Sequence, residues 1–159
     1  MKIVNITERQ KHLKKINSWL YKEWGHHDVN STELDWFKKK QAKIDKKNNL
    51  LPIILVAIKE DNPVGTASIV DSDMKTHPEL KPWMADVYVK EDQRKKGYGS
   101  RLVKRILKEA VKLDFNKIYL FTPDQSSFYE QLGWKPYQKV IYRKEKVDIM
   151  VYDFQEEGS

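Results

Sequence analysis

The sequence predicts an α/β protein: a central, mixed and mostly antiparallel sheet flanked by helices, with one parallel strand–helix–strand crossover. Three observations carry this expectation. Two segments of helical periodicity come first. β-Branched runs separated by turn residues follow. Strand and helix alternate only in the middle, between Trp83 and Thr122, which is what a single crossover requires. The order reads α, α, β, β, β, α, β, α, β, β, with a further short strand at Lys2–Ile6.

Thr7-Glu8-Arg9-Gln10 has the capping-box pattern, and Leu13, Ile16, Leu20 and Trp24 recur behind it at helical spacing, so the first helix ends near Gly25. Ser31 and Thr32 start a second helix, which Leu34, Phe37, Gln41 and Ile44 carry to about Lys46 before "NNLLP" breaks it. Ile53–Lys59 and Val64–Val70 read as a hairpin turning at "EDNP". The stretch "DSDMKTHPELKP" is a loop, and Trp83–Val89 is the next strand. From Lys96 to Leu113 the positions Leu102, Val103, Ile106, Leu107, Ala110 and Leu113 form one apolar helical face, and Arg101, Lys104, Arg105, Lys108 and Lys112 form a solvated one. Asn116 ends that helix, and Lys117–Thr122 is a buried strand. Asp124–Leu132 is a short helix closed by Gly133, and Trp134–Arg143 pairs with Val147–Phe154 around "KEK". With no repeats or internal linkers, residues 1–159 are expected to form a single domain.

Composition excludes several classes of function. There is no cysteine, hence no disulfide, thiol nucleophile or thiolate metal site. The longest apolar run, Leu50–Ile58, contains a proline and falls short of the ~18 residues of a membrane span. The N-terminus lacks a secretory pattern. A soluble, cytoplasmic protein without a membrane partner is expected. The net charge of +7 suits an anionic ligand such as a phosphorylated cofactor, nucleic acid or a membrane surface. The lysines scatter instead of clustering with aromatics, so nucleic acid is not expected.

Two of the six glycines stand one residue apart in "QRKKGYGSRL", after a strand and at a helix start. A helix start presents unpaired N–H groups, glycine lets a ligand approach the backbone, and Lys95, Lys96 and Arg101 add charge, which together make an anion site. A dinucleotide fingerprint would want a third glycine where Leu102 stands, and a Walker loop would want Lys-Ser/Thr after Gly99, where Ser100-Arg101 follow.

The larger pattern, Arg94-x-x-Gly97-x-Gly99 after an apolar strand, resembles the acyl-CoA pyrophosphate loop of the GNAT acetyltransferase superfamily. "SFYEQLGW", Ser127–Trp134, resembles that family's Phe-Tyr-x-x-x-Gly-aromatic segment, at the family's usual separation. The resemblance covers nearly the whole chain. It implies an acetyl-CoA-dependent N-acetyltransferase needing no metal, acting on a small-molecule or protein amine. It further implies cofactor contacts from Val87, Tyr88 and Val89, whose backbone N–H groups polarise the thioester carbonyl, and from Arg94, Lys95, Lys96, Gly97, Tyr98, Gly99 and Ser100 around the pyrophosphate. Thr122 stands where the family often carries asparagine, and Ser127 opens the second motif. Tyr129 falls on the family's proton-donor position. Asp86, a carboxylate inside an apolar strand, keeps half of a Glu-Asp pair seen in polyamine-type members. It can act as base, as ammonium anchor or as structural acid, with water as a competing base. Trp24, His26, His27, Asp28 and Trp36, in the connection between the first helices, are candidate acceptor contacts, and His26-His27 also reads as a plain loop feature. A CoA-binding sensor without turnover and a basic nucleic-acid-binding domain are the alternatives. The residues leave open the acceptor and a homodimer.

Overall fold

The computed structural model describes residues 1–46 and 49–157, and side chains through Gln155; Asn48, the first residue of the expected break, lies outside the described residues. The elements are β1 (Lys2–Asn5), α1 (Leu13–Trp24), α2 (Glu33–Asp45), β2 (Ile53–Lys59), β3 (Asn62–Val70), β4 (Trp83–Val89), α3 (Tyr98–Lys112), β5 (Lys117–Thr122), α4 (Ser126–Gln131), β6 (Lys135–Tyr142), β7 (Glu145–Asp153) and α5 (Phe154–Glu157). Seven strands form one sheet in the order β1-β2-β3-β4-β5-β7-β6. Every neighbouring pair is antiparallel except β4 and β5. The expected fold class and crossover are therefore present.

Local chemistry corrects four details. The capping box belongs to Asn5 and Glu8, not to Thr7 and Gln10, and it opens a short 3-10 turn, so α1 starts only at Leu13. The third helix begins at Tyr98 and not at Lys96, because Lys95 and Gly97 take positive φ. The last hairpin turns at Arg143-Lys144, both at positive φ, one step before the middle of "KEK". Arg105 is not simply solvated: it donates to the Ile3 carbonyl at 3.1 Å and to Glu109 at 3.0 Å, tying α3 to β1.

Strand alternation sorts the core onto the two faces of the sheet. On one face Leu55, Ala57, Ala67, Ile69, Met84, Ile118 and Leu120 pack against Leu102, Val103, Ile106 and Ala110 of α3, with Tyr129 of α4 and Trp134. On the other face Ile54, Val56 and Ile58 pack under α1 through Ile16 and Leu20. Further along that face Met74 and Leu80, from the loop 71–82, cover Trp83, Tyr119 and Ile149. The helix α2 buries none of its residues and rests on α1, with Asn17 Nδ2 donating to the Glu33 carbonyl at 3.0 Å and Tyr21 edge-on to Trp36.

Gly133 leaves α4 at φ +98°, and a Cβ there would lie 3.0 Å from the Tyr152 ring. Gly133→Ala therefore combines backbone strain with a ring displacement and is expected to lower unfolding free energy by about 1–3 kcal/mol. Denaturant titration measures this, and an unchanged midpoint would contradict it.

Candidate active site

The site begins with a defect in β4. Thr66 pairs with Tyr88 and Ser68 with Ala85, so Asp86 and Val87 together oppose Ala67. This is a β-bulge, with Asp86 at φ +57°. Aspartate tolerates the left-handed region better than most residues. The extra residue changes the parity of the strand. Met84, Val87 and Val89 all pack toward α3, and Tyr88 packs toward α1. In an unbroken strand Asp86 would share the face of Met84, inside the α3 core. Here the lysines that act on its charge, Lys40 and Lys43, come from α2 instead.

Next to the bulge the sheet opens. β4 and β5 pair at one described point, Trp83 beside Tyr119, where the Tyr119 N–H also donates to the Pro82 carbonyl at 3.0 Å. Beyond it no ladder joins the C-terminal ends of the two parallel strands, the usual place for a ligand crevice in such sheets. The Lys90 N–H donates to Val64 on β3, so by strand alternation the Val89 N–H faces the open edge. The Val89 carbonyl accepts from Arg94 Nε at 2.8 Å, and the Arg94 guanidinium lies 5.3 Å from the Tyr88 ring centre. Arg94 thus fastens the end of β4 to the loop that follows.

That loop delivers the glycine pair to the start of α3. Lys95 and Gly97 are both at positive φ, Gly97 is the N-cap and gives no side-chain cap, and the Arg101 N–H is the one that bonds back to the Gly97 carbonyl. The Tyr98, Gly99 and Ser100 N–H groups therefore lack helical partners. A Cβ at Gly97 would meet nothing within 4 Å, and at Gly99 it would touch Phe128 and Val89 at 3.7 Å. The cradle has open space and unpaired donors, which fits a pyrophosphate.

Tyr129 lies on the α3 side of the opening. Its ring is edge-on to Phe128 and Trp134, and burial, with the Asp124 charge adding, pushes its hydroxyl up to about 12. It is a neutral phenol at any physiological pH. Thr122 Oγ1 accepts from the Gln125 N–H at 3.0 Å and so shapes the turn into α4. Ser127 is exposed, while its neighbour Ser126 donates to Asp148 at 2.6 Å.

The opposite face of the sheet carries the two smaller cores. Trp19 stacks on Tyr88 at 5.7 Å, and Trp24 meets the same ring edge-on. Trp36 donates to Asp28 Oδ2 at 3.0 Å and carries the Lys40 ammonium 4.9 Å above its ring. Asp28 is thus occupied in holding Trp36. His26 and His27 are exposed in a 3-10 turn that starts at the buried Gly25, their rings 4.0 Å apart; burial and then His26 lower the His27 pKa, and Arg143 and Glu145 of the β6–β7 turn also act on it. Burial raises Asp86, against Lys40 and Lys43, and burial lowers Lys40, against Asp86. The sequence reading missed Asp73. Burial first, then the charge of Asp86, raises Asp73 to about 7, with Arg143 opposing. No local motif marks it, because Asp73 and Asp86 meet only through the loop 71–82.

These raised carboxylates oppose folding at neutral pH. The folded state keeps the Asp86 proton after the unfolded chain has released it. Stability is therefore lost as pH rises from about 4 through the raised value, and the loss is complete above it. Asp86→Asn, which keeps the left-handed tolerance, should raise Tm at pH 8, with the difference closing toward about pH 4. A variant less stable than the parent at pH 8 would refute this balance.

Comparison with known proteins agrees with this geometry. The sequence profile described as "Acetyltransferase (GNAT) family" matches residues 13–134. An aminoglycoside 6'-N-acetyltransferase crystallised with coenzyme A superposes with a TM-score of 0.72 at 17% identity, covering 96% of this chain and 97% of that one. The ribosomal-protein-alanine N-acetyltransferase of Brucella melitensis gives 0.71 at 18%, covering 97% and 100%. A spermidine N-acetyltransferase chimera of Vibrio cholerae SpeG and hSSAT gives 0.74 at 15%, covering 98% of each. At such identities the structures speak for the fold, while the profile spans well over half of the sequence: the chain belongs to the acetyltransferase (GNAT) family.

Proposed function

We propose that the protein transfers an acetyl group from acetyl-CoA to a primary amine by direct attack. The observation that carries this reading is the opening between β4 and β5, which has an uncapped, glycine-lined helix start and a neutral phenol on one side and the Asp86 carboxylate on the other. Acetyl-CoA, when bound, supplies the activated acetyl group. The N–H groups from Lys96 to Ser100 hold its pyrophosphate. The backbone around Val87–Val89 donates to the carbonyl oxygen as negative charge develops there. Thr122 and Ser127 flank the pantetheine arm.

Asp86 faces the acceptor side and draws the ammonium in, with Trp24, Trp36 and the His26-His27 turn around the entrance. Tyr129 gives its proton to the departing sulfur. A phenol at about 12 is a weaker acid than an ordinary thiol at about 8.5. Transfer is therefore driven only where the same burial raises the proton affinity of the thiolate. Proton donation and C–S cleavage must then proceed together.

The direct experiment pairs thermal shift with acetyl-CoA and thiol release on adding amines. Spermidine, an aminoglycoside with a free 6'-amine and a peptide with N-terminal alanine span the acceptors named for structural relatives. Stabilisation without thiol release would leave only a CoA-binding module. Gly97→Asn keeps the left-handed backbone and fills the open space, so it should weaken acetyl-CoA about tenfold or more with little change in apo Tm; equal affinity would remove the loop from the cofactor site. Tyr129→Phe should bind acetyl-CoA normally and lose ~10²–10⁴-fold in kcat. With chemistry rate-limiting, a kcat within about threefold of wild type would assign protonation to solvent.

A further inference from the structure

We infer that Asp73 takes the proton from the acceptor ammonium, while Asp86 beside it is the anchor that holds that ammonium against the sheet; this rests on the acetyl-transfer reading above. The loop 71–82 does not trail in solvent. Met74, the next residue, is fully buried, Leu80 lies with it against Trp83 and Tyr119, and the loop turns on the His77 N–H to Met74 and Leu80 N–H to His77 bonds. Trp83 Nε1 closes the fold-back by donating to the Leu80 carbonyl at 2.7 Å. Asp73 is thereby held on the Trp83 face of the sheet, where the bulge also places Asp86.

Both aspartates are half-buried, and among the described residues no hydrogen bond contributes to the state of either one. The groups that act on them are few. Lys40 and Lys43 of α2 act on Asp86, and Asp86 and Arg143 of the β6–β7 turn act on Asp73. A second observation shows what the face accepts. It already holds a primary ammonium, that of Lys40, above the Trp36 ring and within the field of Asp86. Burial disfavours the charged form of Lys40, against Asp86, so a substrate ammonium can compete with it for the same partners.

The two acids divide the work. Asp86 has two lysines favouring its charge; burial, with the Asp86 charge adding, keeps the proton on Asp73 until about pH 7. A carboxylate poised there suits a general base working near neutrality. The ammonium enters opposite Asp86 and passes one proton to the Asp73 carboxylate. The freed nitrogen lone pair forms the bond to the acetyl carbonyl carbon. The C–S bond breaks as the sulfur takes the Tyr129 proton. The second nitrogen proton restores Tyr129 through solvent, and Asp73 releases its own, so one proton leaves per turnover.

The test is the pH dependence of kcat/KM for whichever of spermidine, the aminoglycoside and the alanine peptide wild type acetylates fastest, together with 13C-NMR titration of aspartate carboxyls in the free protein. Wild type should gain activity through about pH 7, and its Asp73 carboxyl should titrate there. Asp73→Asn should lose that limb and ~10²–10⁴-fold in kcat, bind acetyl-CoA as before, and be more stable than wild type at pH 8. Asp86→Asn should chiefly raise acceptor KM and move the Asp73 titration to lower pH. Retention of the limb near pH 7 in Asp73→Asn, or an Asp73 carboxyl titrating near the ordinary ~4, overturns the assignment alone. Absence of thiol release by wild type with all three amines overturns the acetyl-transfer reading and this assignment with it.

Discussion

The bulge in β4 is the constraint on which the rest of the site depends. Two costs compete there. A regular strand would drive the Asp86 carboxylate into the apolar core under α3, a burial that costs several kcal/mol when unpaired. Placing aspartate at φ +57° costs on the order of 1–2 kcal/mol. The bulge is the smaller penalty. It also lets Val87 and Val89 re-enter the α3 core, so β4 loses no packing beyond the kink. The same irregularity coincides with the end of pairing between β4 and β5, so one local choice of backbone opens the sheet and aims a charge beside the opening.

The sheet then serves as a partition. Its α3 face gathers unpaired backbone donors, Lys95 and Lys96, and the Tyr129 phenol, all suited to an anionic cofactor and a developing thiolate. Its α1–α2 face gathers carboxylates, aromatic rings and the Lys40 ammonium, suited to an amine. The chain as a whole is strongly basic, at +7, yet Asp73 lies within the field of Asp86 on this face. Net charge therefore says little about the acceptor; the local field on one face of the sheet does.

Legibility in the sequence followed the range of the interactions. Ile53–Lys59, Trp83–Val89 and Lys117–Thr122 could be bounded from the residues because they are apolar runs between turn residues, and their burial is a local property. The apolar face of α3 was equally plain from Leu102, Val103, Ile106 and Ala110. The capping box was misplaced because Asn5-x-x-Glu8 and Thr7-x-x-Gln10 both satisfy the pattern, and only the 3-10 geometry selects the first. Asp86 stood out as a carboxylate in an apolar strand, but its direction depends on a register shift against β3 that no single-strand pattern encodes. Asp73 lay in a loop that read as mere polar punctuation. Its significance arises from Met74 and Leu80 folding the loop back onto Trp83, a contact between segments with no shared period.

What holds the acceptor side together is uneven, and that unevenness has a physical sense. Asp86 sits in a central strand bonded to β3, and Asp73 precedes the fully buried Met74. The cations that offset Asp86, Lys40 and Lys43, come from α2, a helix with no buried residue that packs through the partly buried Trp36, Phe37 and Ile44 and one side-chain hydrogen bond to α1. Elements with few buried apolar contacts are the ones that open at least cost. The counter-charge of Asp86 is thus carried by a helix without buried residues, while Asp86 itself lies in a central strand. The penalty of keeping two poorly compensated acids together is borne by the folded state, as expected where a site is preorganised for charge that arrives only with its substrate.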